Sequence, residues 1–218
     1  MLGRISTRLG RMIVVCAVLG QVSCHTYHRP NFKTIAIQPI RPFDGTEIPL
    51  LAHALQAYFQ HPVIVLPPIT LPRSYTDYRK GERYSADSII NHLTGSANDT
   101  ITQVVGFTHE DIFTTKRDPS GHVLYPAETN NVWGIFGLGY RSGKASVVSD
   151  YRLHCSDVDK YYFRLRTVLF HEIGHNLGLA HCPNPGCIMN DVDGSISTID
   201  SSGLDYCSDC RRRLYLYH

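Results

Sequence analysis

Residues 33–40 (KTIAIQPI) alternate apolar and polar side chains, the period of a strand. Leu50, Leu51, Leu55 and Phe59 then recur at helical spacing, which predicts a helix ending near Gln60. Asp44 or Thr46 stands where an N-cap belongs, and Pro49 falls in the first turn, where its missing N–H is harmless. A second strand is expected at residues 63–66, stopped by Pro67-Pro68. Residues 69–83 mix proline, tyrosine and charge and read as a long surface loop. Ser85 caps a predicted helix to Leu93, and residues 100–107 (TITQVVGF) predict a third strand. Residues 115–130 contain Asp118-Pro119-Ser120-Gly121 and read as a turn-rich excursion. Residues 132–140 are glycine-studded and aromatic, a bulged or edge strand, and residues 145–149 alternate again. The strongest helical periodicity covers residues 161–179. Strands alternating with helices point to βαβ units, a mostly parallel sheet and an α/β fold.

The N-terminus does not share these periods. Arg4, Arg8 and Arg11 precede a nine-residue apolar run, residues 12–20, that is too short to span a bilayer. This is the layout of a secretory signal peptide, and Gln21-Val22-Ser23-Cys24 resembles a bacterial lipoprotein cleavage box. Three segments are therefore expected: a signal peptide at 1–23, a tether at 24–32 and one domain at 33–214. Cys24 would carry the lipid, with the protein in the cell envelope; secreted or cytoplasmic placement is the alternative. Removing the leader lowers Lys+Arg from 21 to 18 against 19 Asp+Glu, so the formal charge changes from +2 to −1. Neither value is a nucleic-acid footprint. With 43% hydrophobic and 18% charged residues in 218, the chain has the balance of a folded domain, which excludes wholesale disorder.

The chemistry concentrates in two spacings. His171 and His175 are four apart, so a helix places both imidazoles on one face, within reach of one ion, with Glu172 beside them. His181 comes six residues later, about 9 Å further along a continuous helix. The helix must therefore stop, and Gly178 can adopt the left-handed turn that brings His181 back. Three neutral histidines leave a fourth zinc position open for water, the mark of a catalytic rather than structural ion. Glu172 is then the candidate general base. Beyond it, Cys182 and Cys187, then Cys207 and Cys210, form two short-spaced pairs. That spacing fits a closed structural zinc, and two disulfides are the alternative for an exported chain.

The run HExxHxxGxxH, Cys182, Cys187, Met189, Cys207 and Cys210 resembles the archaemetzincin family of metzincin proteases at every fixed position. Residues 106–112 (GFTHEDI) and 145–149 (ASVVS) are more weakly similar to that family. The resemblance implies a metzincin-like zincin fold, with a twisted mixed sheet, an active-site helix and a small C-terminal part clipped by the cysteines. It implies two zinc ions, one catalytic on His171, His175 and His181 and one structural on the four cysteines. It also implies Met189 as a turn methionine under the histidines, and a peptide or protein substrate. The expected reaction is peptide hydrolysis by a zinc-activated water. A non-catalytic zinc-binding interaction module and a zinc hydrolase of a non-peptide bond are the alternatives.

The remaining candidates take bland readings. An extended substrate is expected to add to a sheet edge within residues 132–149, whose glycines admit another backbone. His109, His122 and His154 read as non-catalytic, Cys155 as a buried thiol, and Arg211-Arg212-Arg213 as a solvated tail. Asn98-Asp99-Thr100 matches a glycosylation sequon that a bacterial lipoprotein would not use. A monomer is expected.

Overall fold

The computed structural model describes residues 33–42, 45–191 and 194–214. The expected signal peptide, the tether with Cys24 and the cap candidate Asp44 lie outside the described residues. β1 (Thr34–Arg41) forms where the alternation predicts it. The alternation separates two cores rather than core from solvent. Ile35 and Ile37 join one apolar cluster, and Ala36 and Ile40 join another. Gln38 is buried between them in sequence, and its amide donates to Pro67 O at 2.7 Å. α1 (Glu47–Phe59) follows, with Thr46 at its N-cap position. The Thr46 hydroxyl donates to Glu47 Oε2 at 3.0 Å, so the residue occupies the cap position without accepting a helix N–H.

β2 (Val63–Val65) pairs parallel with β1. The loop expected over residues 69–83 is instead β3 (Ile69–Thr70), a 3-10 turn (Arg73–Tyr75), β4 (Thr76–Asp77) and the start of β5 (Arg83–Ser85). These strands are two or three residues long, too short for a periodic signature; their partners elsewhere in the fold make them strands. α2 (Ala86–Thr94) begins as expected, with Ser85 Oγ accepting the Ser88 N–H at 3.2 Å. β6 (Ile101–Thr108) and β7 (Ile112–Thr114) come next, and the turn-rich excursion ends in the short α3 (Ala127–Asn130).

The glycine-rich stretch divides into β8 (Trp133–Ile135) and β9 (Gly137–Gly139), which join different sheets. β10 (Ala145–Ser149) and the long α4 (Val158–Asn176) complete the main body. α4 starts three residues before the periodic pattern because the Asp157 carboxylate accepts the Lys160 N–H at 3.0 Å. α5 (Ile196–Ser201) and α6 (Ser208–Leu214) form the C-terminal part.

The main sheet runs β2-β1-β6-β10-β9, with β3 also on β1. All its pairs are parallel except β10–β9, so β9 is an antiparallel edge. A second sheet runs β4-β5-β7-β8, with β8 as its edge. One face of the main sheet packs on Leu51, Leu55 and Phe59 of α1 and Leu165, Val168 and Leu169 of α4. The other packs on Ile89, Ile90 and Leu93 of α2. Two covered faces explain why β1, β6 and β10 are buried along nearly their whole length.

Two of the bland readings are corrected. Cys155 is exposed, not buried: it lies in the surface turn between β10 and α4, and its thiol donates to Asp157 O at 3.1 Å. The arginine run sits on α6 rather than in a free tail, where Arg211 pairs with Asp205 and Arg212 with Asp209. Among the described residues no helix is long and apolar enough to cross a membrane.

Candidate active site

α4 runs through the interior, and every residue from Thr167 to Gly174 is buried. His171 and His175 share its inner face, with Nε2 atoms 3.0 Å apart. The helix then stops in a Schellman turn. The Leu179 N–H bonds Gly174 O at 3.0 Å and the Gly178 N–H bonds His175 O at 2.8 Å. Gly178 has φ of 95°, a conformation that side chains disfavour, as the spacing required. The reversal returns His181, whose ring centroid lies 5.3 Å from that of His171 and 4.9 Å from that of His175. One nitrogen from each histidine falls within 4.8 Å of the others.

The partners of the opposite nitrogens fix the tautomers. His171 Nδ1 lies 2.8 Å from Ile188 O, and His175 Nδ1 lies 2.9 Å from Leu179 O. A carbonyl only accepts, so each Nδ1 carries the proton and each Nε2 presents a lone pair. Burial, reinforced by neighbouring His175, pushes His171 down to about 3, and burial also lowers His175. Two lone pairs therefore face each other at 3.0 Å with no proton to share, an arrangement that a cation resolves. His181 Nδ1 meets Asp191 Oδ2 at 3.2 Å, completing three outer contacts of the kind that orient metal-binding imidazoles. The spacing showed the three histidines, but these outer partners were not legible. Two of them are backbone carbonyls, which carry no side-chain signal.

Glu172 is buried beside them. Burial pushes its carboxyl up to about 8, and a hydrogen bond from the Gly139 N–H opposes that shift. A dication on the histidines would lower it again. Glycine at β9 is a steric requirement here. A Cβ on Gly139 would stand 2.4 Å from Glu172 O, and one on Gly137 would stand 2.7 Å from Glu172 Cγ. The register leaves a usable edge. Ser149 N–H bonds Phe136 O, so alternate residues Gly137 and Gly139 turn their main-chain groups away from β10. Glu172 and the three histidines border a cleft of about 370 Å³, whose apolar side includes Phe136, Val168, Ile188 and Ile199.

Met189 is fully buried beneath α4. A Cβ on Gly174 would stand 2.4 Å from Met189 Sδ and 3.0 Å from Tyr206 Cε1, so this glycine makes room for the methionine. Tyr206 locks the same spot by donating to Phe170 O at 2.6 Å. Gly174→Ala should therefore cost about 1–3 kcal/mol in urea unfolding through overpacking. Without that contact, alanine in a helix would instead add up to about 1 kcal/mol. An unchanged or raised midpoint would remove the steric account.

The four expected cysteines also converge. Cys182 Sγ lies 3.8 Å from Cys207 Sγ, and Cys187 Sγ lies 3.8 Å from Cys210 Sγ. Sulfurs at tetrahedral corners about 2.3 Å from one ion stand about 3.8 Å apart, whereas a disulfide needs about 2.05 Å. All four are free thiols. At Cys207 burial favours the thiol, but the Cys210 N–H and the neighbouring sulfurs prevail and bring it down to about 7. The loop between the two sites is shared. The Cys182 N–H bonds Met189 O at 2.7 Å, next to the carbonyl that holds His171.

Comparison with known proteins agrees with this geometry. The model of peptidase family M54 matches residues 58–215. The archaemetzincin of Archaeoglobus fulgidus is 30% identical over 181 residues, covering 83% of this chain and 98% of the relative. That of Natronomonas pharaonis is 37% identical over 89 residues, which span 37% of this chain and about half, 51%, of the relative. The crystal structure of the Archaeoglobus fulgidus archaemetzincin, complexed with malonate, aligns with a TM-score of 0.67 at 28% identity. It covers 83% of this chain and 99% of that one. The Methanopyrus kandleri archaemetzincin structure aligns at 0.65 and 25% identity over 85% of this chain and 97% of that one. With the fold shared along nearly the whole of these relatives and the family model matched over most of the sequence, the chain belongs to peptidase family M54, the archaemetzincins, and is a zinc metallopeptidase.

Proposed function

We propose that the cleft hydrolyses peptide bonds, with His171, His175 and His181 holding a catalytic zinc and Glu172 moving the proton. Cys182, Cys187, Cys207 and Cys210 would hold a second, structural zinc. The observation that carries the reading is the pair of facing Nε2 lone pairs at 3.0 Å, with a buried carboxylate beside them in one cleft. When bound, zinc supplies a Lewis acid that polarises a carbonyl and acidifies a coordinated water.

The chain's own residues supply the rest. The Glu172 carboxylate accepts the proton of the attacking water and delivers it to the leaving amine. The Gly139 N–H holds that carboxylate in place. The outward main-chain groups of Gly137 and the outward carbonyl of Gly139 pair with an extended substrate in the manner of an added strand. The apolar side of the cleft, with Val168, Ile188 and Ile199, takes an apolar substrate side chain.

A peptide-library digestion tests this reading. Zinc-loaded protein should release products cut next to apolar residues, protein stripped of metal should release none, and restored zinc should restore cleavage. Zinc-loaded, folded protein that cuts no peptide would sink the proposal.

A further inference from the structure

Among the described residues, three groups bring at least three metal-ligating atoms within 4.8 Å of one another. Two are the sites above. The third is His109, Asp150 and His154. We propose that this third group is a separate site for a divalent transition-metal ion, with Glu47 as a further carboxylate at its margin.

The argument starts from charge. Asp150 is fully buried and Glu47 is nearly so. Asp111 and Asp200, by contrast, receive guanidinium partners: Asp111 has Arg83 and Arg152, and Asp200 has Arg164. No lysine or arginine pairs with Asp150 or Glu47 among the described residues. Asp150 instead meets His109 Nδ1 at 2.8 and 2.9 Å through its two oxygens, and His154 Nε2 at 3.4 Å. Glu47 Oε2 lies 3.9 Å from His109 Nε2. The Tyr161 hydroxyl sits between the carboxylates, 2.7 Å from Asp150 Oδ2 and 3.2 Å from Glu47 Oε1, but has one proton to give. The two buried acids thus face imidazoles and a phenol rather than a lysine or arginine, and burying such a pair without a permanent cation is costly. A dication supplies the balance.

The position in the fold agrees. Glu47 begins the helix after β1, His109 directly follows β6, and Asp150 directly follows β10. These are the carboxyl ends of three parallel strands, where open α/β sheets hold ligands. His154 is 59% exposed, which gives an ion a way in, and its ring stacks on Tyr161 at 4.8 Å. Tyr161 lies ten residues before His171 on α4, about 15 Å along the axis, so this is not the catalytic centre. Two imidazoles with carboxylate favour zinc, cobalt or nickel over calcium or magnesium. Such an ion would pin the start of α1 and the N-terminal turn of α4 to the strand ends.

The test compares the zinc content of the full chain with that of His154→Ala, after equilibration in buffered zinc and measurement by plasma mass spectrometry. His154 is exposed, so the variant should keep the wild-type circular dichroism spectrum; His154→Gln provides a second variant. The expected result is three ions in the wild type and one fewer in either variant. Added zinc should also raise the melting temperature of the wild type more than that of the variants. Equal zinc content in wild type and variants overturns the proposal and leaves a plain histidine–aspartate contact. The difference between proteins is the readout, so a failure at the catalytic or cysteine site lowers both totals and remains distinguishable.

Discussion

Glu172→Gln should lower kcat/KM by about three orders of magnitude while leaving the fold and the zinc content unchanged. Removal of a positioned general base typically costs 10²–10⁴-fold, and glutamine matches glutamate in size but cannot take the proton. The substitution is sterically mild. The space around the side chain is set by Gly137 and Val168, and the Gly139 N–H still finds an oxygen to bond. Burial should not penalise the variant, because a neutral amide is easier to bury than a carboxylate. Activity, melting temperature and zinc stoichiometry should be measured on one preparation. Near-normal turnover would remove Glu172 from the chemistry. Loss of zinc together with activity would show that the variant acts on the site's structure, not on proton transfer.

Replacing Cys207 and Cys210 together by serine should release one zinc and lower stability by about 4–6 kcal/mol, a large fraction of a domain's total. For a chain of this size that corresponds to a melting temperature about 10–20 °C lower. The loss should spread to the catalytic centre. The cysteine site anchors the segment that carries Met189 under α4 and the Ile188 carbonyl that orients His171. Peptidase activity should therefore fall in the same variant although no histidine has changed. Calorimetry of the wild type separates metal from disulfide: a chelator should lower the melting temperature, and a reductant alone should not. The opposite response would identify paired disulfides in place of a zinc site.

The histidine cluster was legible because it is local. Four-residue spacing on a helix fixes the relative positions of His171 and His175 whatever the rest of the fold does. Gly178 announces the turn through its permitted backbone. The four cysteines were legible by spacing, but their convergence needed Cys182 and Cys207 to meet across 25 residues. The large strands and helices were also readable, since α1, α2, β6 and α4 carry enough residues for a period to show. Short strands such as β3, β4 and β5 were not, because their only cause is a partner strand elsewhere. Cys155 was misjudged for a related reason: burial of one thiol depends on which way a surface turn faces.

By itself, the sequence determined which histidines and cysteines gather into clusters, the point where the histidine helix ends and the alternation that builds an α/β sheet. These follow from covalent spacing and backbone preference, which act over a few residues. Only the tertiary structure decided that β9 passes against Glu172 with room for glycine alone. It also decided that the second face of β1, with Ala36 and Ile40, packs into a core of its own. And it decided that His109, Asp150 and His154, drawn from two strand ends and a turn, meet around a buried carboxylate. Contacts of that kind depend on packing between segments far apart in the chain, and no local pattern encodes them.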